Sequence, residues 1–454
     1  MWVGGLLGAL VVVLVPGRPG WCLTFSGPIS IDDVQDAHCM ALADVDQDGD
    51  GDVLIGTSNG EVLLWRNQPH IAPLALVFSI EDSNAGVDEI AELKAVDFDG
   101  DGDPDLVLSH YWVNDLGGGN PDFHNELLLL DNLDGHGSFE LSDSHYNELP
   151  INSLAIADFD NDEDGDIVFD DGDLCFIRNL AGTFGSEELI RAGNFATCLA
   201  AGNFDCDNDD DIVMASQFED LVAWFRNTDG DGSFGRRISI STAGDGANWV
   251  QVARVNADAI PDLLSFSEYD RELVYFDNAT CSWWPAQVLI SQTQAAVALV
   301  DALDVDVDGD TDLFLQNSTG SRFKWLCNTS GQGTFQTYNL HVTEDPGIVE
   351  THAFGDLEGD GDSDLAFCTA SQLYLLVNEI LPLGAPHLRA IPGSTLRVEW
   401  ESLCDDCVYK VYRLTNPYLD LSQATLLGTT NQRAFVDSSY VPVPRVWYRV
   451  TASH

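Results

Sequence analysis

The segment AVDFDGDGDPDLVLS, residues 95–109, places aspartates at every second position from Asp97 to Asp105 and then enters the apolar run Leu106-Val107-Leu108. Carboxylates this close resist ionising together unless a cation lies among them. The alternation Asp97, Asp99, Asp101 with Gly102 next is a spacing that wraps oxygens around Ca²⁺. Asp105, at position nine, closes the loop. Asp103, at position seven, is expected to supply its backbone carbonyl.

The same nine-residue frame recurs as DVDQDGDGD (44–52), DFDNDEDGD (158–166), NFDCDNDDD (203–211), DVDVDGDTD (304–312) and DLEGDGDSD (356–364), with a worn copy, RVNADAIPD, at 254–262. Successive starts lie 53, 61, 45, 51, 50 and 52 residues apart. The twelfth positions are Ile55, Leu108, Phe169, Met214, Ser265, Leu315 and Phe367, so the bidentate Glu of an EF-hand is missing throughout. The expected ligands are Asp44, Asp46, Asp48, Asp50 and Asp52; Asp97, Asp99, Asp101, Asp103 and Asp105; and Asp158, Asp160, Asp162, Asp164 and Asp166. The later loops would add Asn203, Asp205, Asp207, Asp209 and Asp211; Asp304, Asp306, Asp308, Asp310 and Asp312; and Asp356, Glu358, Asp360, Asp362 and Asp364. Position six calls for φ > 0: Gly49, Gly102, Gly309 and Gly361 suit it, Asn208 tolerates it and Glu163 does so poorly. In the worn copy Arg254 holds the first ligand position and is expected to act as an internal cation in place of a metal.

Downstream of each loop an apolar segment ends in asparagine: Asn67, Asn132, Asn179, Asn227, Asn278, Asn328 and Asn378. Several are followed by Gly turns and a Phe, as in GHGSF, AGTF, GDGSF and GQGTF, which is hairpin chemistry. Trp65, Trp224, Tyr275 and Trp325 on these segments read as inter-sheet core. Each repeat is then four short antiparallel strands, and seven such units form a β-propeller, whose ring leaves only short edges. The seventh repeat lacks a fourth strand. The segment LTFSGPISI (23–31) resembles GTFQTYNLHV of the sixth repeat and is expected to close the ring.

The Asp loops resemble those of the calcium-loop propellers grouped as FG-GAP or VCBS-type repeats, which include the headpiece of integrin α-chains. The resemblance covers roughly residues 23 to 380 and lacks a GAP tripeptide after the loops. It implies an extracellular protein with about five or six structural Ca²⁺ ions, but does not carry over integrin ligand specificity.

The fold class read from the chain is all-β, a seven-bladed β-propeller followed by a fibronectin type III-like β-sandwich. Residues 1–22, with an apolar core near Leu6 to Val15, read as a signal peptide. Residues 23–381 form the propeller and 382–454 the second domain, where Trp400, Tyr409, Tyr412, Phe435 and Tyr448 resemble sandwich core positions. No other stretch is long and apolar enough to cross a bilayer.

Net charge is −56, from 75 acids against 19 basic residues. That field disfavours nucleic acid and anionic lipid as partners. The ten cysteines suggest disulfides in an oxidising compartment, without fixing their pairing. Sequons at Asn278, Asn317 and Asn328 compete with the structural role of the repeated asparagine. There is no GxSxG or HExxH. The expected function is secreted or cell-surface recognition and adhesion, with an extracellular protein or glycan as ligand. The loop 110–126 of the second blade carries the contact candidates His110, Tyr111, Trp112, Phe123 and His124. A lectin-like module and a lyase- or dehydratase-like carbohydrate-active propeller are the alternatives.

Overall fold

The structure is a computed structural model. It describes residues 10–14, 21–67, 74–79, 85–114, 122–147, 149–256, 258, 260–278, 280–281, 286–290, 297–306, 310–317, 322–328, 331–341, 349–359, 361–378, 381–382, 396–399, 408–414, 425–430, 434–437 and 447–453. Among these every regular element is a strand.

The chain divides into two compact units. The larger, from Gly27 to Val377, is a seven-bladed propeller. Six blades are four-stranded antiparallel sheets in simple sequence order. Blade four shows the pattern, with Cys198–Gly202, Asp211–Ser216, Leu221–Phe225 and Ile238–Ser241 running from inside to outside. Its second strand is buried on both faces because neighbouring blades cover both. In the seventh blade Val349–Gly355, Asp364–Thr369 and Gln372–Asn378 are joined by residues 27–30. The Ile31 amide donates to the Leu373 carbonyl at 2.9 Å, and the Leu373 amide donates to the Asp32 carbonyl at 3.0 Å. The N-terminal segment therefore closes the ring as the sequence led one to expect.

Apolar clusters fill the junctions between successive blades. Phe159, Phe176 and Phe225 pack between blades three and four. Val53, Ile55 and Trp65 of blade one meet Ala366, Cys368 and Leu373 of blade seven. Between blades six and seven, Phe314 meets Phe354 and Phe323 meets Phe367, with ring centroids 5.0 and 5.6 Å apart. Burying each such side chain stabilises the ring by roughly 1.5–3 kcal/mol.

The repeated asparagine is more than a turn residue. The Asn227 side chain donates to the Phe159 carbonyl of blade three at 2.7 Å. Asn132, Asn179, Asn278 and Asn328 likewise donate to the carbonyls of Val45, Phe98, Phe204 and Val255, and Asn67 to that of Leu357. Each reaches the second position of the preceding blade's acidic loop. Asn278 and Asn328 are fully buried in this role, which withholds both sequons from modification in the folded state.

The smaller unit, residues 10–26 and 378–454, pairs Leu10–Leu14 with residues 22–26. It also pairs Leu396–Glu399 with Ala434–Asp437, and Val408–Leu414 with both Thr425–Thr430 and Trp447–Ser453. The core positions expected there from sequence belong to side chains outside the described residues.

Asn227→Ala removes the latch and leaves the buried Phe159 carbonyl without its donor. Urea denaturation is expected to show a loss of about 2 kcal/mol. A loss below about 0.5 kcal/mol would show that the latch contributes little.

Candidate metal centres

Each acidic loop joins the first and second strands of its blade, so all lie on one face of the ring. The Asn-Gly turns between third and fourth strands reach the same face. Gly182 sits against Asp99 of the previous loop, and a Cβ there would lie 2.6 Å from the Asp99 Cβ.

Position nine is the anchor of the loop. Asp211 is fully buried; it accepts the Phe204 amide at 3.1 Å on one oxygen and the Asn227 amide at 2.7 Å on the other. Asp52, Asp105, Asp166 and Asp262 repeat the pair of bonds, and Asp312 and Asp364 each show one of them. Burial pushes Asp52, Asp166 and Asp211 up to about 7 and Asp312 up to about 8. The expected core aromatics are buried, and some also serve this anchor. Trp325 Nε1 donates to Asp312 at 2.9 Å, and the Tyr275 hydroxyl donates to Asp262 at 3.2 Å.

Positions one and five shape the loop. Asp44 accepts the amides of Asp48 and Gly49, Asp97 those of Gly100 and Gly102, and Asp158 those of Asp162 and Glu163. Asp48, Asp101, Asp162 and Asp207 each accept the amide two residues on. Positions three and seven differ. The Oδ1 atoms of Asp50, Asp103, Asp160, Asp164 and Asp205 are buried without a hydrogen-bond partner. Such orphaned acceptors need a donor or a cation. Position seven thus turns its carboxylate inward, where the sequence suggested a backbone carbonyl. Desolvation, then the neighbouring Asp48, raises Asp50 to about 8. Desolvation followed by the other loop acids raises Asp103 to about 6.

Carboxylate oxygens of Asp44, Asp46 and Asp48 lie within 4.8 Å of one another, as do those of Asp97, Asp99 and Asp105, and of Asp158, Asp160 and Asp166. Asp306 and Asp312 gather with Cys327 in the same way. The set fits a hard, oxygen-preferring cation. Asp308, Gly309 and Asp360 lie outside the described residues, so the sixth and seventh loops are seen in part.

The backbone also takes the left-handed conformation expected at position six: Gly49, Gly102 and Gly361 have φ of 97°, 98° and 91°, Asn208 78° and Glu163 75°. Position four shares it, at Gln47, Gly100, Asn161, Cys206 and Gly359. The variety of residue types there hid that requirement in the sequence. Cys206 is disulfide-bonded to Cys281, tying loop four to blade five.

Two loops hold a guanidinium. Arg178 pairs with Asp160 at 2.5 Å; Arg226 pairs with Asp205 and, at 3.2 Å, with Asp207. Both arginines directly precede the latch asparagine. In the worn loop, Arg254 is exposed and forms no ion pair among the described residues, so it is not an internal cation. There the Asn256 side-chain amide instead donates to the Tyr275 hydroxyl and to Asp277, each at 3.2 Å.

The second-blade segment is not an open loop through 110–126. Asp105–Asn114 and Asp122–Asn132 pair along its length, with His110 opposite Glu126 and Trp112 opposite His124. His110 is buried and bonded to Asp88 at 2.6 Å. Trp112 stacks on His110 and His124, with centroids 4.6 and 4.7 Å away. Tyr111 is half-buried, and the Phe123 side chain lies outside the described set.

Residues 44–108 and 304–367 match the family described as FG-GAP-like repeat. These spans run from loop one through loop two and from loop six through loop seven, so the chain carries FG-GAP-like repeats on a seven-bladed propeller. No curated protein matches the chain. Among solved structures it is similar to BBS1N in a complex with ARL6DN soaked with lead, at 12% identity, with 79% of this chain and 96% of that chain covered and a TM-score of 0.53. The mercury-soaked crystal of that complex gives 13% identity, 79% and 96% coverage and a TM-score of 0.49. Raptor from Chaetomium thermophilum gives 13% identity, 79% and 30% coverage and a TM-score of 0.49. At such identity the first of these likenesses shows the fold alone.

Glu163→Gly relieves a left-handed glutamate and is expected to raise stability by about 1 kcal/mol. An unchanged or lower melting temperature would show that Glu163 is not strained. Arg226→Met removes the competing guanidinium and is expected to tighten Ca²⁺ retention by loop four several-fold in titration calorimetry. Unchanged affinity would show that the arginine does not compete.

Proposed function

We propose that this is a secreted or cell-surface recognition protein, whose propeller is stabilised by Ca²⁺ in the acidic loops and whose ligand contacts lie on the opposite face. The observation that supports this best is the set of buried, unpartnered carboxylate oxygens at positions three and seven, repeated from blade to blade. A site repeated from blade to blade fits structure better than catalysis, which favours one distinct site with an open coordination position. Asp, Asn and Glu oxygens at positions one, three, five, seven and nine would hold the ion. Its charge would offset repulsion among them and fix each loop to its strands.

The extracellular placement draws support from the FG-GAP-like repeats, the Cys206–Cys281 disulfide and the signal-like residues 1–22. No helix among the described residues is long and apolar enough to cross a membrane. We read residues 382–454 as a fibronectin type III-like domain, a reading supported by the two small antiparallel sheets. Recognition of protein is favoured over a lectin-like role at the second blade. The Trp112 ring is engaged by two imidazoles and is not a bare platform for a sugar.

Native mass spectrometry of the mature chain should count about five or six Ca²⁺, with loops three and four releasing theirs first. Chelation should lower the melting temperature sharply. A site held at a hundredfold excess over its Kd contributes about 2.7 kcal/mol. Two ions or fewer, with an unshifted melting curve, would overturn structural calcium.

A further inference from the structure

The face opposite the acidic loops is formed by turns between second and third strands and by the connections between blades. Across blades three to five it exposes large apolar side chains in a row: Leu149 54%, Phe195 46%, Phe218 81% and Tyr269 63%. Phe195 and Phe218 touch, with centroids 5.6 Å apart. Leu149 and Phe195 both border Gly172, 3.4 and 3.5 Å from where a Cβ would stand. Tyr269 lies across Gly246, whose φ is 75° and whose missing side chain leaves room for the ring. Gln217 ties the two turns together by donating to Glu268 at 2.8 Å.

Acids edge this row. Asp220 accepts the Gly246 amide at 2.8 Å and Asp270 accepts the Asp245 amide at 2.7 Å, which gathers Asp220, Asp245 and Asp270 at the blade four to five junction. Desolvation and the charges of Asp220 and Asp270 hold the Asp245 carboxyl above its usual range. Glu219 and Glu268 lie beside them. The cations in the same turns and at the adjoining fourth strands are Arg191, Arg236, Arg271 and Arg237, the last already paired with Glu219 at 2.5 Å.

A cavity of about 100 Å³ enters between blades four and five at this place. Its apolar wall is Val222, Val274, Phe276 and Ala247, and its acids are Asp220 and Glu272. On its wall Ser265 is 3% exposed, and its buried Oγ has no hydrogen-bond partner. An apolar sleeve with a free hydroxyl and two carboxylates suits a side chain with an aliphatic stem and a cationic head.

We propose that this face is a docking surface for a basic polypeptide segment, which lays an apolar side chain on Phe195 and Phe218 and inserts an arginine or lysine into the cavity beside Asp220, Glu272 and Ser265. This rests on the recognition function proposed above and names its partner class. Charge decides the occupant. A second copy of the chain, nucleic acid and anionic membrane would each meet like charge from a molecule of net charge −56. A basic segment is drawn to it, and the exposed rings add cation–π and apolar contact.

The test uses the full mature chain with Ca²⁺ present throughout. The probe is a synthetic peptide of alternating arginine and leucine; a glutamate–leucine peptide is the control. Titration calorimetry should show saturable one-to-one binding of the basic peptide only, weakening as salt rises. Phe218→Ala and the double variant Asp220→Asn, Glu272→Gln should each weaken it at least tenfold. Both should leave the ion count and melting temperature unchanged. Absence of binding, binding equal in all variants, or stoichiometric displacement of the peptide by added Ca²⁺ would each overturn the proposal. Loss of bound calcium from the wild-type chain would instead strike the structural-calcium reading, so the two failures are separable.

Discussion

A single buried carboxylate organises every blade. The aspartate at position nine receives the amide that opens its own loop and the amide of the latch asparagine at the end of the third strand, as Asp211 does with Phe204 and Asn227. The asparagine side chain then reaches back to the preceding blade. Loop, blade and blade-to-blade junction are thus one hydrogen-bonded chain. An anion this deep is costly unless donors and cations surround it. Blade five shows that the anchor is separable from the cation loop. It has lost most of the acids, yet Asp262 keeps both amides and gains the Tyr275 hydroxyl.

The remaining loop acids divide their work. Positions one and five accept backbone amides and hold the turn, while positions three and seven leave oxygens facing inward. Blades three and four place an arginine against these oxygens, and blade six places a thiol nearby. The seven loops share one frame but not one chemistry, and the side chains just before the latch set the difference. The acids crowd this face, whereas on the opposite one the turns are short and large apolar side chains lie exposed.

Much of this was legible in the sequence. The Asp frame, its period near fifty residues and the downstream asparagine fixed the number of blades, because each local motif repeats with its own strands. The N-terminal closing strand could be inferred from the gap in the seventh repeat. Position six was readable from Gly49, Gly102 and Gly361. Position four was not, because Gln47, Asn161 and Cys206 carry the same backbone conformation without glycine. The length of the second-blade segment suggested a loop, but alternation within it pairs as strands and buries His110.

The sequence by itself determined what depends on near neighbours: the loops, the strands, the ring and the charge that one face must neutralise. Only the tertiary structure decided what depends on neighbours beyond the local motif, from about twenty residues to several blades away. The asparagine latch crosses from blade to blade, the arginines enter loops that precede them in the chain, and Arg254 turns outward. The row from Leu149 to Tyr269 draws on three blades, and the Ser265 hydroxyl lies on a cavity wall shared with residues of blade four. Those pairings carry no local periodicity, since they are set by how rigid sheets pack around a closed ring.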